Sequence, residues 1–401
     1  MARRILLYSH DTVGLGHIRR VAAIGKQLAT EAPDDTVLIL TGSDVAGSLE
    51  LPPNVDYVKL PSVRKVTNSR YAARKLRLEG DDVMNLRAEL IRETFRNFDP
   101  DLLIVDKAPL GVHGDLLPTL KLARQRNPRC RIVLSLRDIL DTPHEVIGAW
   151  EREGIHDALR RYYDLVLVWG EERIYDMVTE YRLPSDVAAK VQYCGYIGAE
   201  PDAGVPAGRS KRKKLVLVTV GGGQDGYDLL ETYLQALAKT KRRFASVVLL
   251  GPDLPAEKRD ALRATIERTD APVFAVDYAQ QIDRLMRSAD LCVTMGGYNT
   301  MCEVVSRGRP AVVVPRVNPR QEQLIRATKW QELGLLRMIH PDTLSPTVLA
   351  EAIDSELTRP RHAAQAALDF GGLDRAAKIL RPDFTPQDRE RTAASGSGDE
   401  A

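Results

Sequence analysis

The chain has little of what would mark a metalloprotein, a disulfide-stapled secreted domain or a membrane span. Its four cysteines, Cys130, Cys194, Cys292 and Cys302, are scattered through 401 residues, with no Cys-x-x-Cys pair and no histidine cluster at metal-ligand spacing. Reduced thiols are the expectation, and no metal is expected. The apolar stretch after Arg3-Arg4 covers only residues 5–8, too short for the hydrophobic region of a secretion signal. Nothing approaches the ~20 apolar residues of a transmembrane helix. A cytoplasmic protein is expected, at most peripheral to the inner membrane face. The 57 Lys and Arg barely outnumber the 55 Asp and Glu, and a net charge of +2 argues against a nucleic-acid partner.

What is present is a repeated unit of buried strand, loop and helix. Residues 4–9 read as a strand, Gly14-x-Gly16-His17 as a glycine loop, and residues 18–30 as a helix. The third glycine of a dinucleotide-binding fingerprint is missing. Further strands are expected at 37–42, 55–60, 102–106, 132–136, 165–170 and 191–195, with a helix at 83–97. That alternation predicts a parallel, doubly wound α/β sheet. Such sheets place ligands at the C-terminal ends of their strands, which singles out the loop 107–111 after Asp106 and the pair Arg137-Asp138. His10 either touches an acceptor or caps a loop, and His17 is either a cleft residue or a solvated helix-start histidine. Asp99-Pro100-Asp101 lies between helix and strand, where Pro and Asp are ordinary punctuation rather than metal ligands.

Composition breaks at 198–214, rich in Gly, Pro, Ala and basic residues, and a linker is expected there. The pattern then restarts: a strand at 215–220, the loop Gly221-Gly222-Gly223-Gln224, a helix to about residue 238, and strands at 247–251 and 273–276. At about twice the length of a typical domain, the chain should form two, 1–197 and 215–381. The tail 382–401 has no apolar content to bury and should be disordered.

The most informative stretch follows the strand 290–294. Gly296 and Gly297 allow a tight turn, and a helix is expected to open at about Asn299 and stop near Gly308. Free N–H groups and the positive end of the helix dipole would then face one spot, an anion site. Asn299 and Thr300 add side-chain donors. Glu303, one turn further on, suits a ribose diol better than a phosphate. Strand-Gly-Gly-helix alone also serves packing in many α/β proteins.

The longer run is more specific. Gly296-Gly297-Tyr298-Asn299-Thr300, Glu303, Gly308-x-Pro310, Pro315 and Arg320-Gln321 together resemble the donor-binding signature of GT-B glycosyltransferases that use nucleoside-diphosphate sugars. The similarity is strongest to the N-acetylglucosaminyltransferase that completes the lipid-linked peptidoglycan precursor, and looser to the UDP-glycosyltransferases. Gly16-His17 and Gly221–Gly223 match the two glycine loops of that family.

The resemblance implies a GT-B fold, two Rossmann-like doubly wound domains facing across a cleft, with the last helices crossing back to the first domain. It implies inverting, metal-independent transfer of a sugar, UDP-linked by preference, to an acceptor hydroxyl, with no cofactor. His17 would be the general base. Gly221, Gly222, Gly223, Gly297, Asn299 and Thr300 would hold the pyrophosphate. Gln224, Gly296, Glu303, Arg320 and Gln321 would complete the donor site, with Tyr278 in the nucleobase segment. His10, Gly16, Asp106 and Lys107 would lie on the acceptor side.

Met295 stands where many plant-type relatives carry a phosphate-binding histidine, and Arg320-Gln321 replaces their Asp-Gln, so the sugar stays open. Two alternatives also remain open: a nucleotide-sugar 2-epimerase of the same fold, and a nucleotide-sugar-binding protein without catalysis. The acceptor is a glycan, a lipid-linked substrate or a small molecule. Between residues 59 and 78 stand seven basic residues and no acid. This run is either a solvated face or a receiver of an anionic acceptor or of membrane headgroups.

Overall fold

The computed structural model describes residues 2–11, 16–66, 71–199, 213–277, 282–359 and 367–381. Most of the expected linker and all of the tail beyond residue 381 lie outside them. The chain divides into two compact units, Met1–Tyr196 with the segment from Gly371 onward, and Ile197–Phe370.

The first unit carries β1 (Arg4–Tyr8), β2 (Thr36–Thr41), β3 (Val55–Lys59), β4 (Val63–Lys65), β5 (Tyr71–Ala73), β6 (Leu102–Asp106), β7 (Arg131–Arg137), β8 (Leu165–Trp169) and β9 (Val191–Tyr193). All but β4 and β5 form one parallel sheet, in the order β3-β2-β1-β6-β7-β8-β9. β6 and β8 are buried along their whole length, as strands covered by helices on both faces must be. β4 and β5 pair as an antiparallel hairpin inside the basic run, where sequence reasoning expected no strand.

The second unit carries β10 (Lys214–Thr219), β11 (Phe244–Leu249), β12 (Val273–Val276), β13 (Leu291–Thr294), β14 (Ala311–Val313) and β15 (Arg337–Met338). Its parallel sheet runs β12-β11-β10-β13-β14-β15. Both sheets therefore reverse direction beside their first strand, β1 against β6 and β10 against β13. These are the two topological switch points at which open α/β sheets bind ligands.

The helix Gly16–Glu31 returns from β1 and buries Ile18, Val21, Ile24 and Leu28, the spacing of one apolar face. It begins two residues earlier than the periodicity predicts, so His17 is helical. The last described helix, Gly372–Ile379, packs on this first unit. Gln27 Nε2 donates to Asp374 Oδ1 at 2.7 Å, and Arg131 Nη1 donates to the Ile379 carbonyl at 2.9 Å. A Cβ on Gly372 would lie 2.6 Å from the Tyr196 carbonyl oxygen, so this contact admits no side chain.

One buried polar network holds Tyr8 at the end of β1. Tyr8 Oη donates to Asp115 Oδ1 at 2.8 Å, and Arg87 Nε, from the helix Gly80–Phe98, donates to Asp115 Oδ2 at 2.9 Å. Charges this deep persist only when paired and hydrogen-bonded. Among the described residues, no helix is long and apolar enough to cross a membrane.

Candidate active site

At the first switch point, the start of the helix Gly16–Glu31 and the end of β6 bring together three buried ionisable side chains. His17 Nδ1 lies 2.6 Å from Asp106 Oδ2. Arg20, three residues on and thus on the same helix face, donates from Nε to Asp106 Oδ1 at 3.1 Å, and its Nη2 also contacts that oxygen. A carboxylate only accepts, so the proton on the His17 ring is assigned to Nδ1, and Nε2 is the nitrogen that accepts a proton.

Burial, the largest effect, pushes the His17 imidazole down to about 3, against the upward pull of Asp106. Burial also works against the Asp106 carboxylate, yet Arg20 and His17 hold it well below the usual carboxylate range. At neutral pH the group is therefore a neutral imidazole on a charged carboxylate. Such an arrangement can orient a base and steady the imidazolium formed when Nε2 takes a proton.

His10 stands edge-on to His17, with ring centroids 5.6 Å apart. Burial, followed by the charge of Lys107, lowers its basicity strongly. Lys107 follows Asp106 directly and sits in left-handed backbone at φ 67°, a conformation that costs a non-glycine residue about 1–3 kcal/mol and collects at functional sites. Its N–H is tied to the Ser135 carbonyl at 2.9 Å. Gly16 is exposed at the start of the helix, beside His17.

At the second switch point, Thr219 and Thr294 are register partners at the ends of β10 and β13. The loop Gly221–Gly223 and the turn Gly296-Gly297 therefore leave the sheet side by side. Gly223 has φ 92°, and a Cβ there would lie 2.5 Å from the Leu250 carbonyl oxygen. Gly296 is pressed against Gln323, whose Cβ would be 3.0 Å from an added methyl. The helix Tyr298–Ser306 opens straight from Gly297, one residue before the expected start. Its first N–H groups and dipole end face the glycine loop's edge of the sheet.

Asn299 and Thr300 are half-buried in the first turn of that helix, and Glu303 is half-buried one turn on. Gln224 is exposed in the glycine loop. Arg320 and Gln321 follow the cis Asn318-Pro319 bond, with Gln321 at the N-cap position of the helix Glu322–Glu332. Tyr278 lies outside the described residues. Among the described residues, no group of three or more His, Cys, Asp or Glu side chains could hold a metal ion.

Sequence reasoning missed two arginines. Arg20 was legible, because a residue three positions after a helical histidine shares its face. Arg316 gave no such signal. It stands after β14 and pairs with Asp225 of the glycine loop at 3.2 Å and with Glu322 at 2.7 Å.

Residues 215–378 match the glycosyltransferase family 28 C-terminal domain. The chain is 29% identical over 174 residues to the UDP-N-acetylglucosamine–N-acetylmuramyl-(pentapeptide) pyrophosphoryl-undecaprenol N-acetylglucosamine transferase of Mycobacterium ulcerans, covering 41% of this chain and 42% of that protein. It is 27% identical over 237 residues to an uncharacterized glycosyltransferase of Methanopyrus kandleri, covering 56% of this chain and 63% of that one. The chain thus spans less than two thirds of these relatives' length.

The crystal structure of Acinetobacter baumannii MurG superposes with a TM-score of 0.61 at 13% identity, covering 94% of this chain and 99% of that one. The chain has the α/β fold of the GT-B glycosyltransferases, and its second unit is similar to the family 28 C-terminal domain.

Proposed function

We propose that the protein is a glycosyltransferase that moves a sugar from a nucleoside-diphosphate sugar, UDP-linked by preference, to an acceptor hydroxyl. The observation that carries this reading is the His17–Asp106 pair, a neutral base on an orienting carboxylate at the ligand edge of a Rossmann-like sheet. The matched family 28 segment at the other switch point supports it.

In this mechanism His17 Nε2 takes the acceptor hydroxyl's proton as the oxygen attacks the anomeric carbon. The bond from that carbon to the diphosphate breaks, its electron pair leaves with the phosphate oxygen, and a single displacement inverts the centre. The charge gained by the leaving group is met by the N–H groups of the loop Gly221–Gly223 and of the turn at Gly297, by the Asn299 and Thr300 side chains, and by the helix dipole. Such preorganised donors can do the work that a divalent cation does elsewhere.

The acceptor side is basic and partly apolar. Val66, Leu76 and Leu78 are exposed, beside the exposed Arg64, Arg74 and Arg77. That combination suits a lipid-linked anionic acceptor and peripheral contact with anionic headgroups from the cytoplasmic side.

A donor screen tests the reading: thermal shift with UDP-, GDP- and dTDP-sugars, followed by incubation with the selected donor alone. Stabilisation by one nucleoside-diphosphate sugar, without change of that sugar in the absence of acceptor, is expected. Conversion of the sugar to its 2-epimer without acceptor would instead make the protein an epimerase, and no stabilisation by any donor would reject the reading.

A further inference from the structure

β10, β13 and β14 are neighbours, and Thr219, Thr294 and Val313 stand in one row across them. Three loops therefore leave this edge in order: the glycine loop, the Gly296-Gly297 turn, and residues 314–321. Arg316 stands in the third and reaches the first, with Nη1 3.2 Å from Asp225 Oδ2. Its guanidinium thus spans the end of the strand whose turn opens the helix Tyr298–Ser306.

The other end of Arg316 is fixed. Its backbone N–H donates to Gln323 Oε1 at 3.0 Å, and Gln323 is the residue packed against Gly296. Nη2 donates to Glu322 Oε1 at 2.7 Å. Nε is buried and has no hydrogen-bond partner. The two carboxylates differ in kind: the Glu322 side chain is 5% exposed and that of Asp225 47%. A pair as open to water as Arg316–Asp225 is weakly held. A diphosphate offers the same guanidinium more charge and a two-point fit.

We infer that Arg316 is a phosphate-binding side chain of the donor site, parked on Asp225 until a nucleoside diphosphate displaces that carboxylate. This rests on the nucleoside-diphosphate-sugar reading above. During transfer, the electron pair of the breaking sugar–oxygen bond passes to the terminal phosphate, and the Arg316 guanidinium meets that charge. Asp225 is then a competitor for Arg316 rather than a ligand of the donor.

Calorimetry on the full chain with UDP, GDP and dTDP and with their monophosphates tests this. Arg316→Gln should weaken binding of the preferred diphosphate about tenfold or more, the scale of one charge-assisted contact, and its monophosphate far less. Asp225→Asn should tighten diphosphate binding. A merely structural bridge predicts that both variants weaken it alike, and that result would overturn the inference. So would an Arg316→Gln protein with wild-type diphosphate affinity. If the wild-type protein binds none of the three diphosphates, the donor reading itself falls and takes this inference with it. Should Arg316→Gln not fold, Arg316→Lys, which keeps the charge and loses the fork, carries the same comparison.

Discussion

His17 Nδ1 and Asp106 Oδ2 lie 2.6 Å apart although 89 positions separate them in sequence. They meet because β1 and β6 are neighbours at the strand-order reversal. Asp106 holds the imidazole in the tautomer that leaves Nε2 as the proton-accepting nitrogen. Asp106→Asn should therefore lower kcat by ~10²-fold or more, within the usual span for general acid–base catalysis. Nitrogen NMR of the His17 ring should show the loss of the Nδ1–H tautomer in the same variant. An Asp106→Asn protein with full kcat and an unchanged ring would remove Asp106 from the mechanism.

The same pair sets a pH dependence of stability. The unfolded His17 titrates near its ordinary 6.5, whereas the folded imidazole is pushed down to about 3. Between those values the unfolded chain binds a proton that the folded chain refuses, so stability rises with pH across this window. It is present above pH 6.5 and is lost as pH falls towards 3. Asp106, with its depressed folded value, adds a further loss at still lower pH. Thermal midpoints from pH 7 to pH 4 should fall more steeply for wild type than for His17→Gln, and equal slopes would refute the assignment.

Glu303 faces a separate test. It is half-buried in the second turn of the helix that opens from Gly297, and its carbonyl accepts from Arg307 Nη1 at 2.8 Å. As a partner of the donor's ribose, its loss should weaken donor binding by about 1–3 kcal/mol, the range for a charged hydrogen-bond partner. Calorimetry on folded Glu303→Ala decides, and unchanged donor affinity would take Glu303 out of the site.

The strand–glycine–helix order before His17 and around Gly296-Gly297 was legible in the sequence, because the three follow one another within about a dozen residues at each. The contact between His17 and Asp106 was not, since it depends on which strands become neighbours, and that is a property of sheet order. Arg20 could have been found from its spacing to His17, but a basic residue in a first helical turn reads as solvated. The β4–β5 hairpin was hidden by its charge, since Val63-Arg64-Lys65 carries only one apolar side chain. Helix starts were misplaced by one or two residues at Gly16 and Tyr298, where glycine obscures the boundary. Arg316 was passed over because the family resemblance draws the eye to Arg320-Gln321, and its two partners are distant or charged neighbours with no motif of their own.

The use of backbone N–H donors and a guanidinium at the diphosphate predicts that turnover survives chelation. Activity assayed after dialysis against EDTA should match the untreated protein. A complete loss that Mn²⁺ or Mg²⁺ restores would require a cation on the diphosphate in place of this arrangement.

The central claim is that His17 removes the acceptor's proton while the donor is bound by the other unit. Paired measurement of kcat and donor Kd for His17→Ala tests it most directly. The account predicts a fall in kcat of ~10²–10⁴-fold, the span for removing a general base, with donor Kd unchanged. A variant with near wild-type kcat, or one whose loss is entirely in donor affinity, would contradict it.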